Sequence, residues 1–183
     1  MMEDPRSFRA LFPVEGRLVS LDVFAAKDIT DAYLGWLNDP LVVQYSDQRF
    51  RKHTRRTSLE YLEACDSSGD LFLTVRTKSD RKYVGTMSAH ISPMHETADI
   101  GIMIGERSCW GTGVGRDAWS TLMSLLIDVA QLRKVTGGTM GCNKAMVKIM
   151  ANSGMKPDGV RIAQNLVDHK PEDIVHFARF RDG

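Results

Sequence analysis

The chain has 183 residues, 24 of them Lys or Arg and 23 Asp or Glu, which leaves a formal net charge of +1. That balance excludes a global pull toward nucleic acid or a membrane surface, so any electrostatic preference must be local. The length admits one domain with a real core and not two comfortable ones. Three cysteines without C-x-x-C spacing argue against a disulfide framework and for a reducing compartment.

Residues 1–16 are mixed and aperiodic, with Pro5 and Pro13, and read as a loose lead-in to a single domain over residues 17–183. No N-terminal apolar run resembles a signal peptide, and no run approaches the roughly eighteen residues of a membrane span. The expectation is a cytoplasmic protein with no membrane partner. Arg17–Phe24 alternates as a first strand. Asp28 is placed to cap a helix in which Ile29, Tyr33, Leu34 and Leu37 recur at helical spacing, and Asn38-Asp39-Pro40 stops it. After the short apolar link Leu41–Tyr45, Thr54 or Thr57 caps a second helix to about Cys65, ahead of the turn cluster Asp66–Asp70.

Leu71–Arg76, Lys82–Ile91 and Thr97–Ile104 form an antiparallel meander by loop length. A helix follows from Val114 to Ala130, carried by the stripe Val114, Ala118, Leu122, Leu125, Leu126 and Val129. Lys134–Met140 is a fifth strand weakened by Gly137 and Gly138. A helix runs from Asn143 to Ser153, with Gly154 closing it. Val160–Val167 and Ile174–Phe180 make a last hairpin around His169–Asp173.

Between the fourth strand and the third helix, Gly111, Gly113 and Gly115 alternate with Thr112 and Val114. Three glycines in five residues cost backbone entropy and offer close backbone approach in return. At a helix N-terminus the unpaired N–H groups and the helix dipole together favour an anion, phosphate above all. The Walker pattern is absent, since no Gly-Lys-Ser/Thr occurs. The dinucleotide pattern G-x-G-x-x-G fails at Arg116, and no acidic residue ends a strand about twenty residues on.

Trp110-Gly111-Thr112-Gly113-Val114-Gly115 resembles the coenzyme A loop of the GNAT N-acetyltransferases, Q/R-x-x-G-x-G/A, with Trp110 where Gln or Arg is usual. Behind a strand reading Ala98-Asp99-Ile100-Gly101, this W-G-x-G-x-G form resembles the ribosomal-protein-acetylating, RimJ/RimL-like branch. The element order agrees over roughly residues 17 to 180. The resemblance implies an α+β GNAT fold: a central mixed, mostly antiparallel sheet of about seven strands, about four flanking helices, and a V-shaped splay between the fourth and fifth strands. It implies acetyl-CoA as cosubstrate and no metal. The pyrophosphate would sit on the N–H groups of the segment from Trp110 through Gly111, Thr112, Gly113, Val114 and Gly115, with Arg116 adding a charge contact. The pantetheine arm would bond the main chain of Ile102, Met103 and Ile104.

Asn143 matches the Asn of the family's N-x-x-S motif, which approaches the amide and thiol region of the coenzyme and is also placed to cap its helix. Met146 replaces the motif's Ser, and Met155 the Phe of its closing Gly-Phe pair. The slot near Met150, where relatives carry a Tyr that protonates the departing thiolate, holds no Tyr. Water, Tyr45 folding back across the cleft, or Cys142 stand as alternatives.

Direct attack on a thioester needs a neutral amine, so a base or an ordered water chain must take a proton. Asp99 sits where relatives carry Glu or Asp, on the face of Gly101 and Met103 by the period of two, and is read as base or amine anchor. The acceptor would enter past Tyr45 and the run from Arg49 to Arg56, five of whose eight residues are Lys or Arg. Positive charge at a helix start is mildly unfavourable, which raises the case for an anionic partner. Arg49 and Arg51 would meet an anion, and Phe50 and Tyr45 would stack on a base or sugar. An amino-sugar nucleotide fits best. A protein N-terminus, a non-catalytic acyl-CoA-binding module and an RNA-associated protein are the other readings, with nucleic acid disfavoured by the overall charge. Free sheet edges fit a homodimer.

Overall fold

A computed structural model of the chain describes residues 5–181. The first four residues of the expected lead-in and the last two of the expected domain lie outside the described residues. The alternating stretches pair into one open sheet of eight strands: β1 (Val14–Glu15), β2 (Val19–Val23), β3 (Leu71–Thr77), β4 (Tyr83–Ser92), β5 (Thr97–Ile104), β6 (Lys134–Met140), β7 (Lys156–Val167) and β8 (Lys170–Phe180). Their spatial order is β1-β2-β3-β4-β5-β6-β8-β7. Every neighbouring pair is antiparallel except β5 with β6. This is the expected α+β arrangement with one strand more, and the extra strand comes out of the lead-in. A 3-10 turn over Pro5–Leu11 precedes it and puts Phe8 into the core, with Leu11, Phe12 and Val14 packed alongside. The stretch is anchored because its apolar residues, though aperiodic, have a sheet edge to cover.

Four helices flank the sheet: α1 (Asp31–Leu37), α2 (Arg55–Ser68), α3 (Val114–Ser124) and α4 (Lys144–Asn152). The period of two in β3 divides the core between the faces. Leu71, Leu73 and Val75 join Trp119, Leu122 and Leu126 under α3, whereas Phe72 joins Phe24, Tyr33, Leu37 and Leu62 under α1 and α2. Beyond Ser124 the third helix continues as a π-helical turn, Leu125–Val129, where a regular α-helix to Ala130 was expected.

Several boundaries shift for local reasons. Thr30, not Asp28, caps α1, accepting from the Tyr33 amide. Asp28 is 4% exposed and is held by Arg76 at 2.8 Å and by the Ala25 amide. Thr54 and Thr57 share the cap of α2 as a reciprocal box. That helix runs through the expected turn cluster to Ser68, where Gly69 at φ 80° ends it. The last hairpin turns on Asp168 and His169, both at positive φ, so β8 begins at Lys170 rather than Ile174, and β7 reaches back to Lys156.

The splay lies where expected, between β5 and β6. Their parallel pairing covers only Thr97–Lys134, Ala98–Val135 and Asp99–Thr136. β5 then continues to Ile104 against β4, and β6 to Met140 against β8, with no pairing to each other.

Candidate functional site

The wall of the splay is built from β5. Gly105 donates to the Val84 carbonyl directly opposite it. In an antiparallel ladder the bonded pairs alternate, so Met103 is bonded to Thr86, Gly101 to Ser88 and Asp99 to His90 in the observed register. The N–H and C=O groups of Ile100, Ile102 and Ile104 therefore turn the other way, and from Ile102 onward no strand lies opposite. Of the three residues expected to offer main chain, Ile102 keeps both groups open. The Ile104 carbonyl accepts from Trp110 Nε1 at 2.7 Å, which leaves its N–H. Met103 is turned wholly toward β4, and its side chain packs on the α1–α2 cluster.

At the end of that wall, Gly111 and Gly113 adopt φ 75° and 94°, a left-handed conformation that only glycine takes without strain. Gly113 is the N-cap of α3 and brings no side chain to cap it. Among the described residues, the amides of Gly111, Gly113, Val114, Gly115 and Arg116 meet no protein acceptor. Gly115 faces the side chains of Ile104 and Ile149, which a Cβ there would meet at ordinary contact distance. Thr112, itself exposed, donates its hydroxyl to the Cys109 carbonyl at 2.7 Å. Arg116 is exposed and makes no ion pair or hydrogen bond among the described residues. The result is a row of unspent donors at the positive end of a helix, one wall of the splay away from an unpaired strand edge.

Three residues outside the motif hold this row in place, and the sequence pattern alone did not single them out. Asp117, in the first turn of α3, accepts from the amides of Leu18 at 2.7 Å, Val19 at 3.1 Å and Arg17 at 3.3 Å. Gly16 makes the approach possible, because a Cβ there would strike the side chains of Asp117 and Thr121. Glu106 bonds the amide and hydroxyl of Ser108 and pairs with Lys82 at 2.7 Å. The Lys82 contact, with the two Ser108 bonds, holds its carboxyl down to about 2.

On the opposite face lie Asp99, Thr136 and Gly138, since Ala98 and Ile100 face the α3 cluster and Trp119 covers Gly137. Asp99 stands at the last paired position before the strands part. It is exposed, and its carboxylate accepts from the Thr136 hydroxyl at 2.6 Å. Asn143 caps α4, accepting from the Met146 amide at 3.2 Å, and its amide nitrogen donates to Thr139 at 3.1 Å. Both ends of that side chain are thus engaged within the protein. Met150 is fully buried, so the slot without a tyrosine faces the core rather than the splay. Cys142 is partly exposed beside Glu172; burial, then the Glu172 carboxylate, pushes its thiol up, the reverse of what a nucleophilic cysteine needs.

The basic run is largely spent on the protein itself. Arg49 donates to the carbonyls of Ser46 and Leu166 and lies over the Phe50 ring. Arg55 donates to Ile29 and Ala26, and Arg56 pairs with Glu60. Arg51 makes no ion pair or hydrogen bond among the described residues, and Phe50, under Arg49, is 72% exposed. They line an open groove of about 410 Å³ with Asp47, Arg49, Asn165 and Leu166, so that β7 supplies its far wall. Tyr45 is half-buried on the same link, outside that lining.

Comparison with known proteins places this geometry. A family model described as an acetyltransferase (GNAT) domain matches residues 19–156. No curated protein matches the chain. Among solved structures, RimL, a ribosomal L7/L12 alpha-N-protein acetyltransferase in complex with coenzyme A, superposes with TM-score 0.80 at 15% identity, covering 93% of this chain and 97% of its own. An acetyltransferase of the GNAT family from Bacillus anthracis gives TM-score 0.78 at 15% identity over 93% and 99%. A spermidine N-acetyltransferase from Vibrio cholerae, in complex with CoA and spermine, gives 0.75 at 14% over 90% and 96%. At such identities the likeness is one of fold.

Proposed function

The chain belongs to the GNAT acetyltransferase family and is an acetyl-CoA-dependent N-acetyltransferase, and from that premise we propose how its own residues serve the transfer. The free amides of Gly111, Gly113, Val114, Gly115 and Arg116 hold the coenzyme's pyrophosphate, and the Arg116 guanidinium adds a charge contact. The open main chain of Ile102 and the Ile104 N–H bond the pantetheine amides, which lays the thioester along β5 toward Asp99. Trp110 serves by locking the loop to β5 rather than by touching phosphate through a charged side chain. Asn143 sets the start of α4 beside the thioester.

A primary amine, bound on the Asp99 face, attacks the thioester carbonyl carbon directly. The C–N bond forms as the C–S bond breaks. The proton shed by the nitrogen leaves through Asp99 and water, and the coenzyme thiolate takes a proton from water. No acyl-enzyme intervenes. The acceptor enters by the groove of Phe50 and Arg51, and an amino-sugar nucleotide is the class that an exposed ring beside an uncommitted guanidinium fits. The three free cysteines fit a cytoplasmic setting.

The observation that carries this reading is the uncapped row of amides beside an unpaired strand edge. Gly113→Asp tests it: the substitution adds strain at φ 94° and a carboxylate where the diphosphate would lie. Acetyl-CoA affinity measured by calorimetry should fall at least tenfold, and coenzyme release with a panel of amines should fall with it. Unchanged affinity would remove the loop from the site.

A further inference from the structure

His176 on β8 has no role in the reading above, and its surroundings are unusual. In the register of the sheet it stands between Gly138 of β6 and Gly159 of β7. Cross-strand neighbours normally pack against each other on a sheet face; here both are glycines, and the imidazole has no side chain beside it on either flank. The ring lies toward β6. A Cβ on Gly138 would come within 2.9 Å of Nδ1 and 3.0 Å of Cε1. Gly138 belongs to the splayed part of β6, two residues past the last pairing with β5, and on the same face as Asp99 and Thr136. Nε2, by contrast, is fully buried and meets no partner among the described residues.

The burial of Nε2 without a partner bears on the tautomer. A neutral imidazole carries one N–H and one lone pair. Orphaned buried N–H groups are rarer than under-satisfied acceptors, so the lone pair belongs on Nε2 and the proton on Nδ1. We propose that His176 is a substrate-contacting residue: its Nδ1–H, held over Gly138 at the mouth of the splay, donates to an oxygen of the amine-bearing acceptor. The inference rests on the acetyl-transfer reading and narrows it. Apart from the reacting nitrogen's own lone pair, a protonated polyamine offers only N–H donors and has no oxygen to accept from this donor. An amine flanked by a hydroxyl or a carbonyl can, as in an amino sugar or a peptide N-terminus.

The test compares wild type with His176→Phe, which keeps the ring, and His176→Asn, which keeps a donor. Acetyl transfer is followed with an amino sugar, a dipeptide and spermidine. For the preferred oxygen-bearing amine, KM should rise about tenfold in His176→Phe, the scale of one lost hydrogen bond with its partner left unpaired, while kcat stays within about twofold. His176→Asn should recover most of the loss, and the spermidine KM should not move. Whichever of the sugar and the dipeptide shows the shift identifies the source of the oxygen. An unmoved KM for both, or an equal rise for spermidine, overturns the proposal. A second readout needs no variant: nitrogen NMR of the imidazole-labelled wild type should show the Nδ1–H tautomer, and the Nε2–H form overturns it. Calorimetry with acetyl-CoA keeps the two readings apart. Wild type that fails to bind acetyl-CoA sinks the transfer reading, whereas normal binding with an unmoved KM sinks only the role of His176.

Discussion

Asp117 joins parts of the chain about a hundred residues apart. Its carboxylate takes three successive amides at the start of β2 while standing in the first turn of α3, where a negative charge is already favoured by the helix dipole. Removing it leaves those donors without partners. Asp117→Ala should therefore lower stability by about 1–3 kcal/mol, read from urea unfolding, and should weaken acetyl-CoA binding because the glycine turn loses its anchor. In sequence, Asp117 reads as an ordinary first-turn acid of an amphipathic helix; only the distant Gly16 makes its reach possible. Asp28 taught the opposite lesson. Its position ahead of a helical stripe is a good cap signal, yet the buried Arg76 contact claims it, and Thr30 caps instead. Local propensity was legible, while the long-range partner that overrode it was not.

At the scale of elements, the adjacent glycines of β6 weaken it as a strand in sequence and explain themselves in space. Each faces one side of the sheet and admits one ring: Trp119 over Gly137 and His176 over Gly138. A Cβ on Gly137 would come within 2.6 Å of the Trp119 ring, which is 1% exposed and cannot yield. Gly137→Ala should cost about 1–3 kcal/mol as overpacking, measured as a lower urea midpoint with an unchanged slope. The periodic elements, α3 and the meander β3–β4–β5, were readable because their buried faces keep a strict period. The last hairpin was less so. β7 is exposed along nearly its whole length, so no hydrophobic alternation marks its first residues, and its turn carries Asp168 and His169 at positive φ rather than glycine. The basic run read as a binding feature for the same reason: sequence shows the charges, not the carbonyls and carboxylates that already hold Arg49, Arg55 and Arg56.

For the molecule as a whole, acid stability has a predictable sign. Glu106 is held down to about 2 by Lys82 and Ser108, and Glu15 and Asp80 are also lowered, first by hydrogen bonds from Lys78 and Thr77. A carboxylate whose folded value lies below its unfolded one contributes stability that is present above the unfolded value and lost as pH falls through the folded one. For Glu106 that window runs from 4.5 down to about 2. The unfolding free energy should decline as pH falls through that window, and Glu106→Gln should flatten part of the decline in a urea series across pH. The order of elements and the glycine turn were enough to read the fold and the identity of the coenzyme from the sequence. The family match ends at residue 156, where β7 begins. The groove wall at Asn165 and Leu166, and His176, therefore belong to the part of the chain that the shared pattern does not cover, and it is there that we propose the choice of amine is made.

Trp110 carries a practical consequence. Its indole is 44% exposed at the lip of the glycine turn and tethered to β5, while Trp119 is sealed in the core and Trp36 lies packed over Gly105. Of the three tryptophans, the one that water reaches most freely sits at the turn proposed to receive the coenzyme. A native fluorophore thus stands at that turn, and a shift in its ultraviolet emission on adding coenzyme should report binding there without any dye or label.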